Sequence, residues 1–360
     1  MSHLLRAVAA LATGAVATTL FATPVHAAPD DASAGWLNGQ LNRKDLVYNR
    51  QFDFTDYGLT ADVALALDAL GRTGRVRQIA GGLDGHVDSW TTGKDFEAPD
   101  DVYAGSVAKA VVVAQQADRN PRRFGGVNLV RRLQGLVSTD ESYAGRLEDR
   151  GSSDFANTIG QAFAANGLAR ADSDRAGDAR RFLLAQQCAD GFFRLNFAAK
   201  DAPAQDCDSG GASLSAPDTD VTALAVILLE NTPGKTSPVR TSITEAVGWL
   251  KATQGDNGSF GGGVATEASN SNSTGLAAWA LGDAGACRPA ARAATYVRKL
   301  QVRGDVAGTP LAREKGAIAY DRAGYREGQD GIGSTERDQW RRATSQATPG
   351  LAYLRPRACR

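Results

Sequence analysis

Apolar residues recur along the chain in two alternating styles. One stretch is amphipathic, with apolar positions every three or four residues. The next is apolar nearly all round and rich in Ala and Leu. The first style predicts a helix with one face on a core, the second a helix buried on every side. Gly-rich loops carrying an aromatic lie between them. The clearest pair runs from Ile243 to Leu281. Ala246 to Gln254 is its amphipathic helix, Asp256-Asn257-Gly258-Ser259-Phe260-Gly261-Gly262-Gly263 its loop, and Ser271-Asn272-Ser273-Thr274 heads its apolar helix. Asp, Asn, Ser and Thr ahead of an apolar run are helix-start signals.

The preceding copy has Phe182 to Gln187, then Asp190-Gly191-Phe192-Phe193, then Asp218-Thr219-Asp220-Val221-Thr222-Ala223. Weaker copies begin at Trp36-Leu37, at Val76 to Ile79 and at Leu129 to Leu133. A last copy begins with Ala291 to Leu300, passes a longer loop holding Gly316 to Asp321, and ends in Asp338-Gln339-Trp340 through Leu351. The result is six helix–loop–helix units of roughly 40–60 residues. Such pairs cannot bury their apolar faces alone and must stack. An all-α fold is predicted: about twelve main helices closed into a ring, the apolar helices forming an inner barrel around a central cavity.

The first 27 residues stand outside this pattern. Arg6 is followed by an apolar, small-residue run and then by Val25-His26-Ala27, a small-x-small cleavage signal. Residues 1–27 read as a secretory signal peptide and residues 28–360 as one mature domain. Export puts the four cysteines in an oxidising compartment, where an even number reads as disulfides. Of the three possible pairings, Cys188–Cys207 would staple one loop and Cys287–Cys359 would tie back the C-terminus. The leader also removes His3 and His26, so His86 is the only histidine of the mature chain. A site built on two histidines is thereby excluded, and neither a metal nor a cofactor is expected. The 40 basic and 40 acidic residues cancel, which argues against a nucleic-acid partner. The mature chain offers no membrane anchor.

The stretches Gln254-Gly255-Asp256-Asn257-Gly258-Ser259-Phe260 and Gln187-Cys188-Ala189-Asp190-Gly191-Phe192-Phe193 resemble the Gln-and-Trp loop motif of class II terpenoid cyclases, with Phe in the Trp position. The chain is thereby similar to the α/α-toroid superfamily, which also includes protein prenyltransferase β subunits, cobalamin carriers and thioester domains. The resemblance implies a single (α/α)6 toroid of squalene-cyclase-type repeats. Asp218-x-Asp220-Val221-Thr222-Ala223 is similar to the cyclase acid motif Asp-x-Asp-Asp-Thr-Ala, with Val221 where the last Asp belongs. The resemblance places Asp220 at the proton-donor position and makes Asp218 and Asp220 the catalytic candidates.

Other features weigh against catalysis. Val221 removes one of the carboxylates whose repulsion would keep Asp220 protonated. A helix N-terminus favours the charged form, so Asp220 is expected to be ionised and to cap its helix. Asp62, Asp101 and Asp154 are expected to cap other inner helices in the same way. Complete cyclases usually hold two such rings, and this chain has length for one. Prenyltransferases need an Asp, a Cys and a His on zinc, and the single His86 cannot serve with disulfide-bonded cysteines. No Gly-Cys-Gly-Glu-Gln thioester motif and no Gly-x-Ser-x-Gly elbow occurs. Paired carboxylates for carbohydrate processing remain open through Asp101, Asp154 and Asp220, while Glu141, Glu148 and Asp149 read as a solvated loop.

Residues expected on the cavity are Asp62, Tyr103, Asn157, Gln161, Asp220, Thr222, Ser273, Trp279 and Trp340. Arg341 and Arg342 interrupt the last inner helix and face either the lumen or an exposed end. The preferred reading is a secreted, non-catalytic toroid that binds a small hydrophobic or cofactor-like ligand or a cell-envelope partner. The alternative is a terpenoid cyclase- or prenyltransferase-like enzyme with Asp220 as acid.

Overall fold

A computed structural model of the chain describes residues 28–355 and 359, so the leader reading lies outside the described residues. Twelve main helices alternate between two layers. The outer ones are α1 (Pro29–Gly39), α3 (Thr73–Asp84), α5 (Leu129–Gln134), α7 (Ala176–Ala185), α9 (Ser237–Thr253) and α11 (Cys287–Leu300). The inner ones are α2 (Tyr57–Ala69), α4 (Ala104–Gln116), α6 (Thr158–Arg170), α8 (Thr219–Glu230), α10 (Ser271–Asp283) and α12 (Arg337–Leu351). Each inner helix packs on the next, and α12 returns to α2, which closes the ring. Each outer helix packs on the inner helix before it, α1 taking its place on α12. The fold is the expected all-α toroid of six repeats. The strands are confined to two short antiparallel hairpins, around 48–55 and 92–102.

The inner helices start where the sequence supplies acceptors. Asp56, Asn157, Asp218 and Asn270 cap α2, α6, α8 and α10 through backbone N–H groups of the first turn. Each satisfies donors that would otherwise be orphaned. The first N–H of α4 donates instead to Asp149 Oδ1 at 2.6 Å. Asp62, Asp101 and Asp154 cap none of these helices. Asp62 lies in the second turn of α2, Asp101 in a strand, and Asp154 in a loop beside Arg146 and Lys200.

A repeated Thr locks each loop to its inner helix. The N–H groups of Val47, Phe193, Phe260 and Ile318 donate to Oγ1 of Thr60, Thr222, Thr274 and Thr344, each at 2.9 Å. Each hydroxyl in turn donates to the carbonyl four residues back in its own chain, at 2.6–2.7 Å. In the third repeat Gln161 takes this place, accepting from Leu147 N–H at 2.8 Å and donating to Gly145 and Ala179 carbonyls.

A repeated Gln joins one repeat to the next. Gln187 Nε2 donates to Gly191 O and to Ser242 O of α9. Gln254 Nε2 donates to Gly258 O and to Pro289 O of α11. Gln301 Nε2 reaches Pro29 O at 2.7 Å and Ser33 Oγ at 2.6 Å in α1, so the same device seals the last repeat against the first. The Gln of the loop motif is therefore structural, and it holds neighbouring wedges together.

The loop glycines serve the same packing. Gly191 has φ +98°, and a Cβ there would stand 2.6 Å from the Glu245 carbonyl of α9. Gly191→Ala is expected to cost about 2 kcal/mol or more, from left-handed backbone plus the clash. Gly248, with nothing within 4 Å of its Cβ position, supplies the contrast. Ala there should gain roughly 0.5–1 kcal/mol of helix stability. Urea unfolding of both variants checks the pair.

Candidate functional site

The axis of the ring is nearly filled. A cavity of about 150 Å³ touches all six inner helices, with Asp62, Lys109, Phe163, Leu224, Trp279 and Ser345 among its walls. On the far side of Leu65, Phe163, Leu224 and Trp279 lies a pocket of about 40 Å³. These four side chains form a plug across the lumen. The upper cavity is crossed by an ion pair, Lys109 Nζ to Asp62 Oδ1 at 2.8 Å, with the ammonium 5.6 Å from the Phe163 ring centre. Small-molecule sites usually measure 300–1,000 Å³, so this lumen is small as well as charged. Asp62 and Trp279 stand on it. Lys109 was not among the residues expected there, although it is the single charge of α4 and could have been picked out for that reason.

The open space lies at the end of the ring where the inner helices begin. A cavity of about 270 Å³ sits between the first turns of α2, α4 and α6, bordered by Trp90, Ser106, Lys109, Asn157, Ile159 and Phe163. Asn157 is thus a cap and a wall residue together. Tyr103 stands beside this end with its hydroxyl against Gly93. Gln161 and Thr222 are fully buried and spend their polar atoms on the loops described above. Trp340 is buried against Gly328. These three are core and not cavity residues, because the inner-helix positions one turn after the cap face the loops.

On the α8–α10 side of the same end, two carboxylates lie beneath the Gly261–Gly263 strap. A Cβ at Gly262 would stand 3.1 Å from Asp220 Oδ2, and one at Gly263 would stand 2.3 Å from Asp218 Oδ2. Only glycine lets the strap approach so closely. Asp218 is the cap of α8, accepting from the N–H groups of Asp220 at 2.9 Å and Val221 at 3.1 Å. Asp220 is therefore not the cap. Its Oδ1 is buried and finds no hydrogen-bond partner among the described residues. Buried hydroxyls of Ser271 and Ser273 and the Asn272 Oδ1 are left unpartnered in the first turn of α10 as well.

Burial pushes the Asp220 carboxyl up to about 6, and the Asp218 carboxylate adds to the rise. The nearby Ser273 hydroxyl pulls the other way without forming a well-shaped hydrogen bond. Desolvation thus outweighs the pull of the helix end, and the capping role expected of Asp220 falls to Asp218. Burial also raises Asp218, against its two backbone hydrogen bonds. Tyr320 is raised by burial and then by the charges of Asp220 and Asp321.

Several other acids are engaged, while Glu141 is exposed. Asp149 is not in solvated loop surroundings, since it accepts from Ala104 N–H and from Phe155 N–H at 3.0 Å. Glu148 pairs with Lys200 at 2.6 Å. Arg342 bridges Asp56 at 2.6 Å and Asp338 at 2.8 Å, while Arg341 turns away toward α1. Both expected disulfides, Cys188–Cys207 and Cys287–Cys359, are present. Among the described residues no group of His, Cys, Asp or Glu is arranged to hold a metal ion, and no helix is long and apolar enough to cross a membrane.

No protein-family model matches the chain, and no curated protein does. Solved structures do. The type II terpene cyclase MstE from Scytonema, in complex with geranylgeranyl dihydroxybenzoate, superposes with a TM-score of 0.59 at 15% identity, over 90% of this chain and 95% of that one. A protein from Actinoplanes gives 0.58 at 17%, over 90% and 98%. The unsaturated glucuronyl hydrolase from Bacillus sp. GL1 gives 0.58 at 11%, over 91% and 95%. The coverage of MstE also shows that a cyclase can be one ring, which removes chain length as an argument against that chemistry. With six closed repeats and these neighbours, the chain has the α/α-toroid fold.

Proposed function

We propose that the protein is exported and binds a small hydrophilic, polyhydroxylated ligand at the end of the ring where the inner helices begin. The observation that carries this reading is the contrast between the lumen and that end. The lumen is plugged, small and crossed by an ion pair, so it offers a polyprene chain too little room and sets two charges in its path. The end of the ring concentrates unpartnered polar atoms on Asp220, Ser271, Asn272 and Ser273. Buried polar groups carry a cost until they are paired, and hydroxyl groups of a ligand would pair them. This departs from the hydrophobic ligand that the sequence suggested. The carbohydrate-processing neighbour supports the ligand class by analogy of fold. Export rests on the leader and agrees with two disulfides.

A second reading makes the protein an enzyme in which Asp220 donates the proton. The position of its carboxyl near pH 6 favours it, because a group balanced between its two forms in mildly acidic medium suits general acid work. Its acceptor would be an oxygen of the bound ligand.

Ligand-observed NMR against neutral and acidic mono- and disaccharides, with geranylgeraniol alongside, tests the first reading. Saccharide binding that weakens in Ser273→Val supports it; geranylgeraniol binding with no saccharide response contradicts it. A saccharide product, found by mass spectrometry, that disappears in Asp220→Asn establishes the second reading.

A further inference from the structure

We propose that a pocket on the outer side of the ring, between the end of α1, the 48–55 hairpin and the first turn of α12, binds a small organic oxyanion through Arg50, Arg337 and Arg341. The pocket measures about 440 Å³ and is walled by these guanidiniums with Gln40, Ser334 and Ile332. It shares no wall residue with the lumen cavity or with the acid pair, and nothing in the proposed function requires it.

Arg341 is the residue on which the site turns. It is only 8% exposed. Its Nε donates to Gln40 Oε1 at 3.1 Å and its Nη1 to the Tyr48 carbonyl at 3.0 Å. Among the described residues no carboxylate pairs with it, and its Nη2 donates to no protein atom. Arginines this deeply buried are ordinarily paired, because an uncompensated buried charge is expensive. Here the neighbours aggravate the cost: burial first, then the charges of Arg337 and Arg50, weaken the protonated state of Arg341.

The nearby acids do not cancel this charge. Glu314 is taken by Arg337, at 2.8 Å and 3.3 Å, and by the Trp36 indole N–H at 2.7 Å. Asp56 and Asp338 are both taken by Arg342. Arg50 is exposed at the rim and has no ion-pair partner among the described residues. Counting Arg342 with its two partners, four guanidiniums face three carboxylates, which leaves an excess of one positive charge, and three of those guanidiniums wall one concave space. Planar N–H forks match the oxygens of a carboxylate or phosphate bidentately. The volume falls within the range for small organic ligands, with room for more than a bare inorganic ion. The ligand class is therefore a hydrophilic molecule bearing a phosphate or a carboxylate.

Isothermal titration at low ionic strength with pyrophosphate and with citrate tests the site, with glucose as the neutral control. Binding of either anion in the millimolar range or tighter is expected, with no response to glucose. The stronger of the two identifies the phosphate or the carboxylate class. Arg50→Gln, a rim change away from the core, should weaken binding about 10-fold, the loss of one charge-assisted contact. Arg341→Gln should abolish it, with its fold checked by circular dichroism. Asp220→Asn should leave anion binding unchanged, which separates this site from the ligand end of the ring. No heat with either anion, or binding unchanged in Arg50→Gln, overturns the proposal.

Discussion

Replacing Asp220 by Asn should stabilise the protein at pH 7–8. The carboxyl is raised from its ordinary 3.8 to about 6 by burial. Between those two values the folded chain holds a proton that the unfolded chain has released. Stability therefore falls as pH rises through this window. Above about pH 6 the full cost of a buried carboxylate is present; below about pH 4 it is gone. A rise of this size corresponds to roughly 3 kcal/mol as an upper figure. Asn has the shape of the protonated acid and cannot ionise, so it escapes the cost. Chemical unfolding of both proteins from pH 4 to pH 8 should show a gap that opens as pH rises. An Asp220 that merely capped α8 would behave the opposite way, with Asn slightly less stable throughout. Stability gained by removing a polar group is the usual mark of a residue kept for function.

Removing the Cys287–Cys359 bridge should be the most damaging change outside the core. The bond closes a loop with a sequence separation of 72 residues that contains the whole of α12. Loops of this length carry about 4 kcal/mol in the chain-entropy account. The bridge also fixes the tail beside α10, where Cys359 lies near the Gly282 carbonyl. The final repeat seals the ring through Gln301 and α1, so loosening it opens the seam. Cys287→Ser with Cys359→Ser should lose about 2–4 kcal/mol. The Cys188–Cys207 pair spans 19 residues within one loop and should cost less. Differential scanning calorimetry of the two double variants gives the order.

Much of the fold was legible because it is written in local patterns. The apolar helices, the Asp or Asn ahead of them and the Gly-aromatic loops each occupy a short stretch, and their sixfold recurrence predicts the ring. The favoured disulfide pairing followed from the repeat layout, one bridge stapling a loop and the other tying back the C-terminus. The site was legible only in part. Asp220 could be picked out from its motif, but its charge state depends on how deeply the Gly261–Gly263 strap covers it, and the strap is some 40 residues away. Thr222 and Gln161 read as cavity residues because polar groups in an apolar helix suggest a lumen; the loops they hold are invisible in the helix sequence. Trp340 misled for a related reason: α12 begins a turn earlier, relative to its loop-holding Thr344, than α8 does relative to Thr222. The Arg50–Arg337–Arg341 pocket draws on residues nearly 300 positions apart, and no spacing rule brings them together.

On this account the acid pair at the ring's polar end is buried, protonatable and open to a hydrophilic ligand. Titration of the Asp220 side-chain carbon by NMR, assigned by its loss in Asp220→Asn, measures this directly. The predicted result is a midpoint near 6 that moves when a binding saccharide is added. A midpoint at or below about 4, the ordinary carboxyl range, unmoved by any saccharide, would contradict the account.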